Sequence, residues 1–195
     1  MSRIEPLRRE VVPEHKDMFA MVEAGMGFLP DSILTMARKP GLVEAFVGLA
    51  GLIQLQNTLE PGLARMVSYV VSRSAGCQYC QAHTHHGAAG AGIGEDKLDR
   101  IWDYETDPAF SEAERAALRV AQGAAQVPNA VSDADFAALK QHFSDEQILD
   151  IVAIIALFGF LNRWNDTLAT ELETSPLAHA EAHLAKSGWT VGKHA

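Results

Sequence analysis

Cysteine is scarce in this sequence, which holds only two, Cys77 and Cys80, within one short stretch. Two cysteines cannot build the disulfide framework of a small secreted fold. Positive charge is also in short supply: 16 Lys and Arg face 25 Asp and Glu, for a net charge of -9. No basic run appears anywhere. That excludes charge-driven binding to nucleic acid or to an anionic membrane surface. Long apolar runs are missing too. The longest, Ile151 to Leu161, falls short of the about 20 residues that span a bilayer. The opening Met1-Ser2-Arg3-Ile4-Glu5-Pro6 has no signal-peptide apolar core, so the expected location is the cytoplasm, with no membrane partner. Strand-like alternation is absent, which points to an all-α fold. No fixed-period repeat or low-complexity linker divides the chain. With 195 residues, 48% of them apolar, a single domain with a real core is expected.

What is present is helical punctuation. Residues 1–16 read as an arm. Phe19 to Gly27 reads as a helix, and Asp31 as the cap of Ser32–Arg38, which Pro40 ends. Gly41 to Asn57 carries a broad apolar stripe and is expected to be well buried. Pro61 is suited to a first turn. It opens a helix with Leu63, Met66, Val67, Val70 and Val71 on one face and Arg65, Ser68, Tyr69, Ser72 and Arg73 mostly on the other. Ser111-Glu112-Ala113-Glu114 and Ser144-Asp145-Glu146-Gln147 are capping boxes, and Ser132 caps a short helix between them. The second box starts the most apolar segment, expected to run to about Glu173. Pro176 starts a last helix, and residues from Trp189 onward read as tail. His15, His142, His179, His183 and His194 read as surface residues, and Arg163 with Asp166 as a local ion pair.

The chemistry concentrates in Gly76-Cys77-Gln78-Tyr79-Cys80-Gln81-Ala82-His83-Thr84-His85-His86. If this stretch opens a helix after Gly76, Cys77, Cys80 and His83 fall along one drifting face. Free N–H groups at a helix start favour thiolate over thiol. Such settings bring a cysteine pKa from about 8.5 into the range of roughly 3.5–7.5. A second cysteine one turn away can resolve a sulfenic acid into a disulfide. A zinc site from Cys77, Cys80, His83 and His86 is disfavoured, because all four ligands would come from one helix. His85 and His86 point away from His83 and read as solvated or supporting groups.

This motif resembles that of the AhpD-like, or carboxymuconolactone decarboxylase, family. The resemblance extends over roughly residues 25–172. It also rests on Gly27-Phe28-Leu29-Pro30-Asp31, on the Gly-rich end at Gly90–Gly94, and on the late helix entering Phe160-Leu161-Asn162-Arg163. It implies an AhpD-like helical bundle, a homo-oligomer (dimer, trimer or hexamer), and a thiol-dependent peroxidase with no cofactor and no metal. Its partners would be a hydroperoxide substrate and a dithiol reductant. By the same resemblance Cys80 is the peroxidatic cysteine. Cys77 is the more accessible resolving one, and His83 positions or deprotonates a thiol. Where the best-known members carry an acidic residue on the preceding helix, this chain has Arg65; where they carry the motif histidine, it has Thr84. Two other readings stand beside the peroxidase. One is a lyase or hydrolase on a small lactone or acid with His83 as general base. The other is a redox sensor without turnover.

Overall fold

Ten α-helices and no strand make up the computed structural model, which describes residues 1–195. They are α1 (Lys16–Met26), α2 (Asp31–Met36), α3 (Leu42–Leu55), α4 (Pro61–Ser74), α5 (Gln78–Gly90), α6 (Glu95–Asp99), α7 (Glu112–Ala124), α8 (Asp133–Leu139), α9 (Asp145–Leu168) and α10 (Thr174–His183). The all-α fold expected from the missing alternation is what forms.

α4 is the axis. It packs against α5, α7 and α9, and its apolar face enters the main core. The expected polar face is a correction: Ser68, Tyr69 and Ser72 are buried as well. Three packed neighbours cover most of this helix, and Arg65 and Arg73 keep only part of its polar face half-exposed. The buried hydroxyls find partners within the helix, Ser68 Oγ donating to the Ala64 carbonyl and Ser72 Oγ to the Ser68 carbonyl, each at 2.9 Å. Both expected capping boxes form, at Ser111/Glu114 and Ser144/Gln147, and Ser132/Asp135 makes a third.

α3 departs from expectation in the other direction. Its stripe was to be well buried, yet only Val43 is, and Leu49, Leu52 and Leu55 are exposed. Within this single chain α3 meets chiefly α9 and α2, so its outer face has no cover. A smaller apolar cluster around Phe19, Met36 and Val43 joins the main core through Leu161.

α9 is long and apolar enough, by length and composition, to cross a membrane, with a mean hydropathy of 1.5 over its best window. In the fold its Ile148, Ile151, Ile154 and Phe158 face the core beside α4, α5 and α7. It also ends earlier than expected. Ala169 takes a left-handed conformation, with φ 50° and ψ 46°, and stops the helix after Leu168. The turn sends residues 170–173 back toward α5.

Candidate functional site

Gly76, at φ 75°, turns the chain out of α4 in a conformation that favours glycine. Cys77 is then the N-cap of α5, and its sulfur accepts a hydrogen bond from the Cys80 backbone N–H at 3.4 Å. The expected helix start at the motif is therefore present, with the first cysteine as its cap. The Cys80 thiol donates toward Cys77 and holds the Cys77 pKa below the usual thiol range, against the opposing effect of burial. Burial pushes Cys80 far up, and the hydrogen bond from Asn165 Nδ2 on α9, at 3.6 Å, offsets only part of that. The resemblance made Cys77 the accessible sulfur. In the fold Cys77 is 0% exposed and Cys80 3%, because the N-terminus of α5 lies beneath the C-terminal segment. Trp189 Nε1 donates to the Gln78 carbonyl at 3.2 Å across that seam.

His83 leaves the sulfurs and turns to a carboxylate. Its Nε2 lies 2.6 Å from Glu173 Oε2, and it makes no hydrogen bond to either cysteine. The other oxygen of Glu173 accepts from the Tyr79 hydroxyl at 2.7 Å and from the Asp31 backbone N–H at 2.6 Å. Burial alone would raise the Glu173 pKa, but the His83 imidazole and these donors hold it below the ordinary range. Burial, then the charge of Glu173, push the Asp31 carboxyl up to about 6. The His83 ring stacks on Tyr79, with centroids 4.2 Å apart, and meets the edge of Phe28. Glu173 is thus the acidic partner of His83. Sequence reading missed it because it placed Glu173 at the end of a longer helix.

Of the histidines read as surface residues, His142 is exposed, His15, His179 and His183 are half-buried, and His194 is buried. His85, 1% exposed, shares a 2.8 Å hydrogen bond with His179, whose ring lies 4.4 Å from that of His183. Burial, and then like neighbours, lower His85 and His179 to about 4. The expected Arg163–Asp166 pair does not form. Arg163 donates to the Gly159 carbonyl, and Asp166 pairs with Lys193 Nζ at 2.8 Å. Asp166, His194 and Cys77 bring one ligand-type atom each within 4.8 Å of one another. No local spacing in the sequence signals that trio, since its members come from α5, α9 and the C-terminal end.

A groove of about 540 Å³ is bordered by Arg8, Arg9, Glu23, Phe28 and Asp31, and so reaches the two residues that touch His83 and Glu173. A second, of about 590 Å³, is lined by Arg38, Phe160, Arg163 and Trp164 and includes neither cysteine.

The sequence profile of the carboxymuconolactone decarboxylase family matches residues 40–123, which include both cysteines. The uncharacterized protein YnjA of Escherichia coli (strain K12) is 31% identical over 127 residues, 65% of this chain and 69% of that protein. Among crystal structures, the debrominase Bmp8 in its apo form gives a TM-score of 0.85 at 34% identity, covering 91% of this chain and 96% of that one. A cysteine-to-alanine variant of Bmp8 in complex with 2,3,4-tribromopyrrole gives a TM-score of 0.86. The AhpD core of an uncharacterized peroxidase-related protein from Ralstonia eutropha JMP134 gives 0.78 at 25% identity, covering 90% and 94% of the two chains.

Proposed function

The chain belongs to the carboxymuconolactone decarboxylase family, and we propose that it is a thiol-dependent oxidoreductase that reduces a hydroperoxide with the Cys77/Cys80 pair. The observation that supports this reading is the placement of two sulfurs one helical turn apart. Cys77 Sγ caps the start of α5 and accepts the Cys80 backbone N–H at 3.4 Å, whereas Cys80 lies inside the helix. The two thiol pKa values move in opposite directions, Cys77 down and Cys80 up. A thiolate is the nucleophile; a thiol beside it is the resolving group.

The roles suggested by the resemblance are accordingly exchanged. The Cys77 thiolate attacks the distal peroxide oxygen, an S–O bond forms, the O–O bond breaks, and the alkoxide leaves with a proton. Cys80 then attacks the sulfenic sulfur, and water leaves as the disulfide closes. An external dithiol returns two electrons and two protons. His83, Glu173, Tyr79 and Asp31 form a hydrogen-bonded wall that orients the start of α5. A dithiol cycle suits a reducing compartment, so the proposed location remains the cytoplasm. With both sulfurs buried, substrate entry requires the C-terminal segment to part from α5.

The likeness to Bmp8 favours a second substrate class for the same sulfurs. Two electrons from the pair would replace a carbon–bromine bond of a small aromatic by carbon–hydrogen, with bromide as the product.

The test is turnover with dithiothreitol as donor, offered tert-butyl hydroperoxide or a bromopyrrole. The expected results are hydroperoxide reduction, a Cys77–Cys80 disulfide by mass spectrometry, and a dimedone-trapped sulfenic acid at Cys77 in Cys80→Ser. Undiminished turnover by Cys77→Ser overturns the mechanism. Bromide release without peroxide reduction selects the second substrate.

A further inference from the structure

We propose that His194, carried into the site by the C-terminal segment, is the acid–base partner of Cys77. Its Nε2 takes the thiol proton and returns it to the departing oxygen of the substrate. The proposal rests on the reading of Cys77 as the attacking sulfur.

Three observations converge on that ring. First, it is built in. The Leu172 backbone N–H donates to the His194 carbonyl at 2.9 Å, and the side chain is buried at 1% exposure. Second, its tautomer is set. Nδ1 lies 2.8 Å from the Thr170 carbonyl, which can only accept, so Nδ1 carries the proton and Nε2 presents a lone pair. Third, that Nε2 is buried with no hydrogen-bond partner. A buried acceptor left unpaired is unfavourable, and a reacting group or a water is what would pair it. Here the candidate partner is close: Cys77 Sγ, His194 Nε2 and an Asp166 carboxylate oxygen all lie within 4.8 Å of one another. That separation allows proton transfer after a small approach or through one water.

The surroundings suit both directions of transfer. Burial lowers the His194 pKa, which favours the neutral ring that accepts a proton. Asp166 Oδ1 stands 3.8 Å from Nε2 and would steady the imidazolium once formed. The other charged or titratable groups facing the ring are Lys193, paired to Asp166, and Tyr79, whose ring centre is 5.9 Å away; Cys80 stands behind Cys77. His83 does not compete, since its Nε2 is committed to Glu173. The step balances. Cys77–SH and neutral His194 become thiolate and imidazolium. After O–O cleavage the imidazolium protonates the alkoxide, and neutral His194 is restored.

The same three atoms also suit a soft divalent cation, so the experiment includes zinc. Rates of Cys77 alkylation by iodoacetamide are measured from acid to alkaline pH in a Cys80→Ser background. His194→Gln should raise the apparent thiol pKa by about one unit and slow alkylation at neutral pH about tenfold. The alkaline plateau and the circular dichroism spectrum should not change. Asp166→Asn should shift the profile the same way by less, and imidazole should restore His194→Ala. Profiles of His194→Gln and Asp166→Asn that superpose on the parent overturn the proposal. So does stoichiometric zinc in the purified protein that disappears in His194→Gln, which would make the trio a metal site. A parent with the His194-dependent profile but no peroxide turnover refutes the earlier functional reading and the return of the proton to a departing oxygen, and leaves standing only His194 as the acceptor of the Cys77 thiol proton.

Discussion

The Glu173 carboxylate holds three donors at once, and the Asp31 carboxyl is pressed against the same cluster. Asp31 has a folded pKa of about 6 against an ordinary 3.8. The folded state therefore binds that proton more tightly than the unfolded chain. Its contribution to stability is greatest at acid pH and is lost as pH rises through about 6. Asp31→Asn should stabilise the protein above that pH by about 1 kcal/mol, a value reduced for the carboxyl's partial exposure to solvent. At about pH 4 it should have little effect. Urea midpoints at the two pH values check this; an equal loss at both would show that the carboxylate is needed rather than strained.

At the scale of the element, the C-terminal segment is the unexpected part. It was read as tail, yet Trp189 bonds to the first residue of α5 and His194 lies in the core. Its contacts with α5 are few, so it should open locally at a lower free energy than the helices around it. Removal of Trp189–Ala195 should speed the reaction of both thiols with DTNB by on the order of tenfold, equivalent to ~1.4 kcal/mol of local opening. Peroxide turnover should fall even so, because His194 leaves with the segment. Faster turnover in the truncated chain would show that the segment only obstructs. The early stop of α9 at Ala169 matters at the same scale, since a helix continued to Glu173 would carry that carboxylate away from His83.

At the scale of the whole molecule, the histidines of α5 and α10 set the response to acid. His85 and His179 have folded pKa values of about 4, below the about 6.5 of a free imidazole. The unfolded chain therefore binds these protons first, and stability falls as pH drops from about 6.5 toward about 4. For the pair the loss should be on the order of 2–3 kcal/mol, discounted because His179 is half-exposed. His85→Gln should lose less stability than the parent over that interval in urea titrations. Equal losses would mean that other groups carry the acid response.

Several features were legible in the chain itself because they depend on neighbours in sequence. Missing alternation excluded strands. Ser-x-x-Glu and Ser-x-x-Gln spacing placed the starts of α7 and α9. Gly76 before the two cysteines placed the start of α5, since a left-handed turn there favours glycine. Only the tertiary structure decided which groups meet across the fold. It paired His83 with Glu173, gathered His85 with His179, and brought Asp166 and His194 to Cys77. It also decided that most of α4 is covered while most of α3 is not. Helical periodicity reports which residues share a face. It carries no information on what a later helix or a returning C-terminus lays over that face, and the burial and electrostatics of the two sulfurs are set by that covering.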